Sequence, residues 1–531
     1  MKSRAQDASR RRFIKSIAGA SAYTALGLPA LTFSSRSHAG LPDQSSYKAV
    51  IVLQLDGGND AINMCVPTGD ETAVGVGKGY STYHSVRGTL AVSANPITND
   101  LRAFLAGGNS GNSNPYYALD KSGAVSTEAA YLKGYYQTGD QFGFNAVCPE
   151  LAKLYQDGQL AVTMNIGNLV EPTSKADLIN QTVAEPPFLF AHNHQIRANQ
   201  TGQADKLNAL GWCGRLSDIW RNGYSGGING GSALSMNISL AGNSRLFAAA
   251  NKQALSIGSP DSMIMADLNA SHTGAGNRRG GLYQAFMDAA TGDKFHDAIA
   301  EVQRSALDIS QKMTDYRGQP TSFASVTDHY GVKLFTAPTK QALGFNDELH
   351  GHLLRQLNHV AVMIERSIDL GMKRQIYTIR MGGWDQHASQ TKEHARNLRE
   401  LSLGMWHLRQ ALETMGIADQ VCLLTMSDFG RTMSNNGDGT DHGWGSHALV
   451  MGAAVNGGQV LGEQPDMRLG SEDDYSDKGR LIPRLAYEQS HAAVLQWFGV
   501  EAADMATVFP NLSNFAATPG DITSAYLNLF S

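Results

Sequence analysis

Aspartate and histidine side chains follow three short apolar runs of this sequence. The runs end in LDGGND, GGWDQH and MSDFGRT, and the last is followed by GTDHGWGSH. Carboxylate and imidazole groups suit divalent ions, and a pair of ions would need roughly six to eight such ligands. The sequence therefore predicts a metal site with room for two ions, and the candidates are zinc, manganese, calcium and magnesium. The predicted ligands are Asp56, Asp60, Asp385, His387, Asp428, Asp441 and His442.

Each of these motifs also has a purely structural interpretation. An Asp after a strand often forms a turn or caps a helix, and Asp385 fits that role with His387 exposed at the surface. Asp441 and His442 lie between glycines, where packing rarely requires two ligating side chains. Together the three motifs favour a metal site, although none of them establishes it alone.

Two further segments carry groups that can contact an anion. The segment FAHNHQ contains His192, and GWCGRLSD contains Arg215. We predict that both are catalytic residues that contact an anionic substrate. The alternatives are an exposed polar helix start for His192 and an ion pair with Asp218 for Arg215. Arg431, shortly after Asp428, could likewise contact an anion or form an ion pair with a carboxylate of the chain.

An alternation of short apolar strands and longer helices must position these residues. It predicts an α/β fold with a doubly wound, mainly parallel sheet and helices on both faces. Ligands of such sheets bind beyond the carboxyl ends of the strands, where the acidic motifs lie. Residues 68–140, rich in Gly, Ser and Asn, are predicted to be an insertion. The predicted strands are 48–55, 160–166, 235–241, 375–381, 420–426 and 448–454, and the predicted helices are 145–157, 212–220, 286–313, 348–370, 394–415 and 492–498.

Composition excludes several classes of protein. The 531 residues include 43 Lys plus Arg and 48 Asp plus Glu, a formal net charge of −5, and 42% are hydrophobic. A chain of this kind forms a sizeable core, so it is not disordered throughout, and it is not a generally basic nucleic-acid binder. Its four cysteines are too few for a disulfide scaffold, and a Cys148–Cys213 bridge cannot be argued from spacing.

The first 39 residues differ from the rest in charge. They contain seven basic residues and one acid, which leaves a net charge of −11 on the remaining 492. Their SRRRFIK segment resembles a twin-arginine export motif, and an apolar stretch leads to a small-x-small cleavage pattern at SHA. We predict a signal peptide over residues 1–39 and a single periplasmic or secreted domain over residues 40–531. An uncleaved membrane anchor is the alternative. The rest of the sequence has no apolar run long enough for stable membrane insertion.

The order of these motifs resembles an uncharacterised bacterial domain-of-unknown-function family of twin-arginine-exported proteins. The resemblance spans residues from about 48 to the C-terminal helix, through LDGGNDAIN, FAHNHQ, GWCGRLSD, GGWDQH, SDFGRT and GTDHGWGSHALVMG. That family is similar in turn to the alkaline-phosphatase and sulfatase superfamily. The resemblance implies an alkaline-phosphatase-like α/β core, two metals at the strand ends, and hydrolysis of phosphate or sulfate esters.

The resemblance can be carried to individual residues. Asp60, and Asp56 as an alternative, match the acidic position after the first strand. Asp385 and His387 are similar to the superfamily's Asp and His ligands, with a shorter spacing. The segment SDFG, which contains Asp428, is similar to its Ser-Asp-His-Gly. His442, with Asp441, stands in for the superfamily's late His or compensates for the His that SDFG lacks.

Two departures bear on activity. Phe429 replaces a metal-binding His, and Ala191 occupies a position where related sequences often have Ser. Thr173 and Ser174 could replace the missing nucleophile, but only their position after the strand predicted over 160–166 suggests it. Without a hydroxyl nucleophile, water activated by a divalent ion can still attack an ester.

The combined expectation is an exported metal-dependent hydrolase of sulfate or phosphate esters. Its substrate would be an anionic small molecule or a polysaccharide ester, and the twin-arginine translocase would be its partner during export. No nucleic acid partner is expected. The alternative is a non-catalytic exported binding protein that keeps the fold.

Overall fold

Three of the predicted acids, Asp56, Asp385 and Asp428, follow strands at the centre of one large sheet. The computed structural model describes residues 41–97, 130–139, 141–232, 234–251, 254–260, 281–282, 285, 287–289, 293–316, 318–329, 331–337 and 349–531. The predicted signal peptide and residues 98–129 and 140 of the predicted insertion lie outside the described residues. Leu41–Ser531 form one compact unit.

The large sheet has nine strands and is mixed, with mostly parallel pairs. Its order is β14-β6-β13-β10-β1-β9-β7-β8, and β15 also pairs with β6. Within this sheet, β13 is the only described strand that runs antiparallel to its neighbours, which are β10 and β6. The strands are β1 Lys48–Leu55, β6 Leu160–Gly167, β7 Asn237–Ser239, β8 Leu255–Ser256, β9 Arg374–Met381, β10 Val421–Ser427, β13 Ser446–Met451, β14 Val460–Leu461 and β15 Leu485–Ala486.

Two small sheets lie outside the large one. A four-stranded sheet has the order β2-β5-β4-β3, and a two-stranded sheet pairs β11 with β12. The two-stranded sheet matters most for the site, because it carries Arg431 and His442 opposite each other. The strands are β2 Cys65–Pro67, β3 Pro96–Ile97, β4 Tyr135–Gln137, β5 Phe142–Asn145, β11 Arg431–Asn435 and β12 Thr440–His442.

The helices connect the strands and cover the large sheet. In chain order they are α1 Ala61–Met64, α2 Glu71–Val74, α3 Tyr80–Arg87, α4 Pro149–Gln156, α5 Lys175–Asn180, α6 His192–Thr201, α7 Trp212–Ile219, α8 Lys294–Tyr316, α9 His352–Asp369, α10 Gln390–Thr414, α11 Tyr487–Phe498 and α12 Ala502–Val508. Within the described part of the chain, no helix is both long and apolar enough to cross a membrane.

The hydrophobic core has two main parts, one on each face of the sheet. Successive side chains of a strand point to opposite faces. In β1, Ile51 and Leu53 accordingly join the cluster that contains the buried residues of α4, α9 and α10. Val50 and Val52 join the cluster that contains those of α7, α11 and α12. Helices therefore pack on both faces of the central strands.

Most of the predicted elements are present with shifted ends. The α/β class is confirmed, and β1 has its predicted bounds. The helix predicted to start at residue 394 starts at Gln390, and the one predicted over 348–370 is His352–Asp369. The strand predicted over 448–454 is β13, whose antiparallel direction makes the sheet mixed. All four cysteines are buried and unpaired.

Candidate functional site

Three parallel strands bring their carboxyl ends together. Leu55 at the end of β1 pairs with Ser427 of β10 on one side and with Met381 of β9 on the other. The segments that follow these strands therefore leave the same edge of the sheet. They carry Asp56, Asp385 and Asp428.

Two glycines let the turn after β1 approach the other segments. Gly57 has φ +122° and Gly58 has φ +84°, in the left-handed region that favours glycine. A Cβ on Gly57 would collide with the backbone nitrogen of Asp385, and a Cβ on Gly58 would lie 2.7 Å from the Phe429 ring. The sequence DGG is therefore required for the close packing of the three segments.

His192, the first residue of α6, is oriented by Asp428. Its Nδ1 lies 2.8 Å from Asp428 Oδ2, and the buried Asp428 also accepts hydrogen bonds from Gly57 N at 3.0 Å and Gln54 Nε2 at 3.1 Å. The hydrogen bond with Asp428 raises the pKa of His192. Its Nε2 faces the cluster, 3.1 Å from His442 Nε2 and 3.4 Å from Asp385 Oδ2.

His442, the last residue of β12, is oriented by a backbone carbonyl. Its Nδ1 lies 2.8 Å from the Phe190 oxygen. Because a carbonyl can only accept a hydrogen bond, we assign the ring proton to Nδ1, which leaves Nε2 with its lone pair. Burial lowers the pKa of His442, so the neutral ring is favoured. The free Nε2 faces His192, His387 and Asp385.

Asp385 contacts all three imidazoles of the cluster. Its Oδ1 lies 3.0 Å from His387 Nε2 and 3.2 Å from His442 Nε2. Burial alone would raise the pKa of Asp385, but the ion pair with Arg431 at 2.9 Å and the nearby histidines lower it. The carboxylate is therefore ionised and available to a cation.

His387 and Asp441 lie on the open side of the cluster. His387 Nε2 is 3.0 Å from His442 Nε2, and its Nδ1 is 4.0 Å from Asp441 Oδ1. The His387 side chain is 48% exposed. Asp441 is also 3.3 Å from the guanidinium of Arg480. This side of the cluster is accessible to a ligand from solvent.

The donor atoms fit a divalent ion. His192, Asp385 and His442 form one group of converging donors, and His387, Asp441 and His442 form a second. Ligands about 2.0–2.1 Å from an ion at tetrahedral angles lie roughly 3.3–3.4 Å apart. In the first group His442 Nε2 lies 3.1 Å from His192 Nε2 and 3.2 Å from Asp385 Oδ1, and His192 Nε2 lies 3.4 Å from the other oxygen of Asp385, Oδ2. Histidines that bind metals usually donate their other ring N–H to a carboxylate or carbonyl, as His192 and His442 do here.

Phe429 fills the space between two of the imidazoles. Its ring centroid lies 4.7 Å from that of His192 and 4.7 Å from that of His442. Phe429 is buried and therefore makes a hydrophobic contact with both rings. This contact holds the rings in place and contributes no metal ligand.

Asp56, Asp60 and Asp428 were predicted as ligands but have other partners. Buried Asp60 forms an ion pair with Arg87 at 2.6 Å and accepts a hydrogen bond from Gln390. Asp56 forms an ion pair with Arg380 at 2.5 Å, and burial raises its pKa to about 6. Asp428 lies behind His192 and orients it. The first-strand acids therefore lie outside both donor groups.

Arg215, predicted to contact an anion, lies elsewhere. Its guanidinium donates to the carbonyl oxygens of Thr201, Leu210 and Val508. His192 begins α6 and Thr201 ends it. At 1.5 Å per residue, the Thr201 carbonyl that Arg215 contacts lies roughly 13 Å along the helix from His192. The alternative ion pair with Asp218 is also absent from the described contacts, because Asp218 accepts from the backbone of residues 250 and 251.

The two possible hydroxyl nucleophiles have local roles. Ser174 caps α5 and shares hydrogen bonds with Asp177. The Thr173 hydroxyl donates to the Glu171 oxygen at 2.8 Å. Ala191 immediately precedes α6 and supplies no hydroxyl.

Sequence reasoning missed several groups that complete the site. Arg480 donates to the His442 oxygen at 2.9 Å and lies 4.2 Å from the centroid of the Phe190 ring. The Phe190 carbonyl fixes the tautomer of His442. The sequence gives no signal for either group, because the Phe190 carbonyl belongs to the backbone and Arg480 lies in an irregular loop. His192 was predicted to contact an anion and is placed among the metal donors.

Comparison with known proteins gives one family. Residues 47–477 match the family described as "Protein of unknown function (DUF1501)". The chain has no match among curated proteins. The chemistry of the site must therefore be inferred from its own residues.

Proposed function

We propose that this chain, which belongs to the DUF1501 family of proteins of unknown function, is a metal-dependent hydrolase of sulfate or phosphate esters. The observation that carries the proposal is the convergence of His192, Asp385 and His442 at separations that suit one ion. Hydrogen bonds from Nδ1 of both histidines leave Nε2 as the ligating atom.

The donor set favours one tightly held ion. His442 belongs to both donor groups, but its Nδ1 donates to Phe190 and only its Nε2 can bind a metal. One imidazole nitrogen binds one ion, so the two groups compete for His442. A second ion would be left with His387 and Asp441, together with a shared oxygen of Asp385. We therefore propose one ion at His192, Asp385 and His442, with the second position weaker.

A bound divalent ion would lower the pKa of water towards 7 and draw charge from the ester. Water then attacks phosphorus or sulfur directly, because Ala191 offers no hydroxyl nucleophile. The new bond joins the water oxygen to phosphorus or sulfur, and the bond to the alcohol oxygen breaks. His387, exposed beside the donors, accepts the proton of water and returns it to the leaving alcohol. The products are an alcohol and inorganic phosphate or sulfate.

Metal content and turnover test this proposal on the full chain. We expect about one equivalent of tightly bound transition metal and metal-dependent hydrolysis of 4-nitrophenyl phosphate or sulfate. His442→Ala is expected to lose both, whereas Asp477→Asn, a change of an exposed carboxylate, retains both. Less than one equivalent of metal, unchanged by His442→Ala, would refute the metal site. Full metal loading without turnover of any ester would refute the hydrolase.

A second function is favoured by Phe429 and Ala191. These residues remove a ligand and a hydroxyl, and a non-catalytic exported binding protein would need neither. Under this alternative the chain binds its metal and an anionic partner, and no ester is cleaved. Turnover that His387→Ala abolishes without loss of metal would exclude it.

We also propose an alkaline-phosphatase-like relationship and export by the twin-arginine pathway to the periplasm or beyond. The first is supported by Asp385 and His387, which follow the carboxyl end of the central parallel strand β9. The second is supported by the SRRRFIK segment and the change of charge after residue 39. Replacement of Arg11 and Arg12 by Lys should retain the protein in the cytoplasm, and export of that variant would contradict the proposal.

A further inference from the structure

A polar cavity adjoins the donor cluster. It has a volume of about 330 Å³, and His387 and Asp441 form part of its wall. The other residues that line it are Thr432, Ser434, Asn435, Asn436 and Lys478. Every lining residue is therefore polar or charged. A substrate whose ester group lies at the donors can extend into this cavity.

The cavity wall is held by hydrogen bonds. The Thr432 hydroxyl donates to the Ser434 oxygen at 2.9 Å and accepts from Asp441 N at 3.0 Å. Asn436 Nδ2 donates to the His387 oxygen at 2.8 Å. These bonds connect the cavity wall directly to residues of the donor groups. The cavity is thus a preformed extension of the site.

Lys478 is the one cation of this wall that is not committed to a carboxylate among the described residues. Its backbone is fixed, because its oxygen accepts from both the hydroxyl and the amide of Ser434. Its side chain is exposed, and the ion pairs of the described residues do not include it. By contrast, Arg431 pairs with Asp385 and Arg480 pairs with Asp441. Lys478 is therefore free to pair with a charge on a ligand.

We propose that this cavity binds the alcohol portion of the substrate, and that this portion is rich in hydroxyl groups and carries a second anionic group that pairs with Lys478. The inference rests on the proposed function for the position of the scissile ester. Hydroxyl groups suit this lining, because its hydroxyl, amide and carboxylate side chains can donate or accept hydrogen bonds. Phosphate and sulfate are both tetrahedral oxyanions that an ammonium group binds, so either can be the second group.

Binding of paired sugar esters tests the inference. The probes are glucose 1-phosphate and glucose 1,6-bisphosphate, together with the analogue in which the group at position 6 is sulfate. They are added to the metal-loaded full chain, and Kd is measured by calorimetry, or KM and kcat where turnover occurs. An exposed ion pair contributes up to about 1 kcal/mol, so the two esters with a second anionic group are expected to bind about fivefold more tightly than glucose 1-phosphate. Comparison of these two esters shows whether phosphate or sulfate is preferred as the second group.

Lys478→Met is expected to reduce that fivefold preference to about one, as a change in Kd or KM and not in kcat. Lys206→Met is the matched control, because Lys206 is also an exposed lysine and does not line the cavity. A preference that survives Lys478→Met, or equal binding of all three esters by the unmodified chain, would overturn the inference. So would the absence of binding by any ester.

Failure of this inference is distinguishable from failure of the hydrolase. Hydrolysis without any effect of Lys478→Met overturns the cavity assignment and leaves the hydrolase standing. Binding that depends on Lys478, without hydrolysis of any ester, supports the cavity assignment and refutes the hydrolase. Metal content, measured in parallel for each variant, shows whether Lys478→Met has left the donor cluster intact.

Discussion

Asp428→Asn should weaken binding of the proposed metal ion, although Asp428 lies outside both donor groups. In the native chain Asp428 accepts three hydrogen bonds, from His192 Nδ1, Gly57 N and Gln54 Nε2. An asparagine at this position has one oxygen acceptor and one NH₂ donor. Because His192 Nδ1 and Gly57 N both donate to Oδ2, the asparagine oxygen takes that position and its NH₂ faces Gln54. The variant therefore keeps the orientation of the ring but removes the negative charge that makes the His192 imidazole a stronger ligand.

The size of the effect follows from the role of such contacts. Loss of a carboxylate that accepts a hydrogen bond from a metal-binding His typically lowers metal affinity by about 10–100-fold, or roughly 1.4–2.7 kcal/mol. Asp428 is 1% exposed, so its charge is little screened by solvent. Affinity can be measured by competition with a chromophoric chelator at constant pH. We expect the Asp428→Asn variant to bind zinc 10–100-fold more weakly than the native chain.

A second buried His–Asp pair provides the control. His407 Nε2 lies 2.9 Å from Asp328 Oδ2, outside both donor groups. Asp328→Asn should therefore lower thermal stability without changing zinc affinity. If Asp428→Asn binds zinc within twofold of the native chain while remaining folded, the charge of Asp428 does not act on a ligand, and the assignment of His192 to the metal site is refuted. An equal loss in both variants would indicate general destabilisation.

Three other changes are expected to have defined effects. Gly57→Ala would introduce a Cβ against the backbone of Asp385 at φ +122°, so we expect a loss of about 1–3 kcal/mol in denaturant unfolding and weaker zinc binding. Arg87→Met leaves the buried Asp60 carboxylate without its ion pair, and a loss of about 3–5 kcal/mol is expected in the same measurement. Burial raises the pKa of Glu488 from 4.5 to about 7 in the folded chain. In the unfolded chain the carboxyl group already ionises near pH 4.5, so the free energy of unfolding falls as pH rises from 4.5 to 7. Glu488→Gln should accordingly be more stable than the native chain by about 3 kcal/mol at pH 8 and no different at pH 4, and equal stability at both would contradict this reasoning.

Local sequence patterns predicted the central strands well. The run KAVIVLQL is β-branched and apolar, and it forms β1 with the predicted bounds because both of its faces are buried. The same kind of pattern located β9 and β10, whose ends bring the predicted acids to one edge of the sheet. The direction of β13 was not predictable, because an apolar run has the same pattern whichever way it pairs.

The partners of the predicted ligands could not be read from the sequence. Asp60 and Asp385 look alike there, since each follows an apolar run in a Gly-rich turn. They differ because Arg87, 27 residues after Asp60, is buried against it, whereas Asp385 faces three imidazoles. Ion pairs with residues distant in sequence therefore determine which acid remains available to bind a cation. The position of His192 beside the donors was not predictable for the same reason, because its partners Asp428 and His442 lie 236 and 250 residues away.

The long separations between the donors would link binding of the proposed ion to folding. His192 and His442 meet only when segments 250 residues apart are in place, so an unfolded chain has no comparable site. A ligand that binds only the native state stabilises it by about 2.7 kcal/mol at a hundred times its Kd. Chelators should therefore lower the unfolding temperature, and zinc availability during biosynthesis would set how much of the chain reaches its native state.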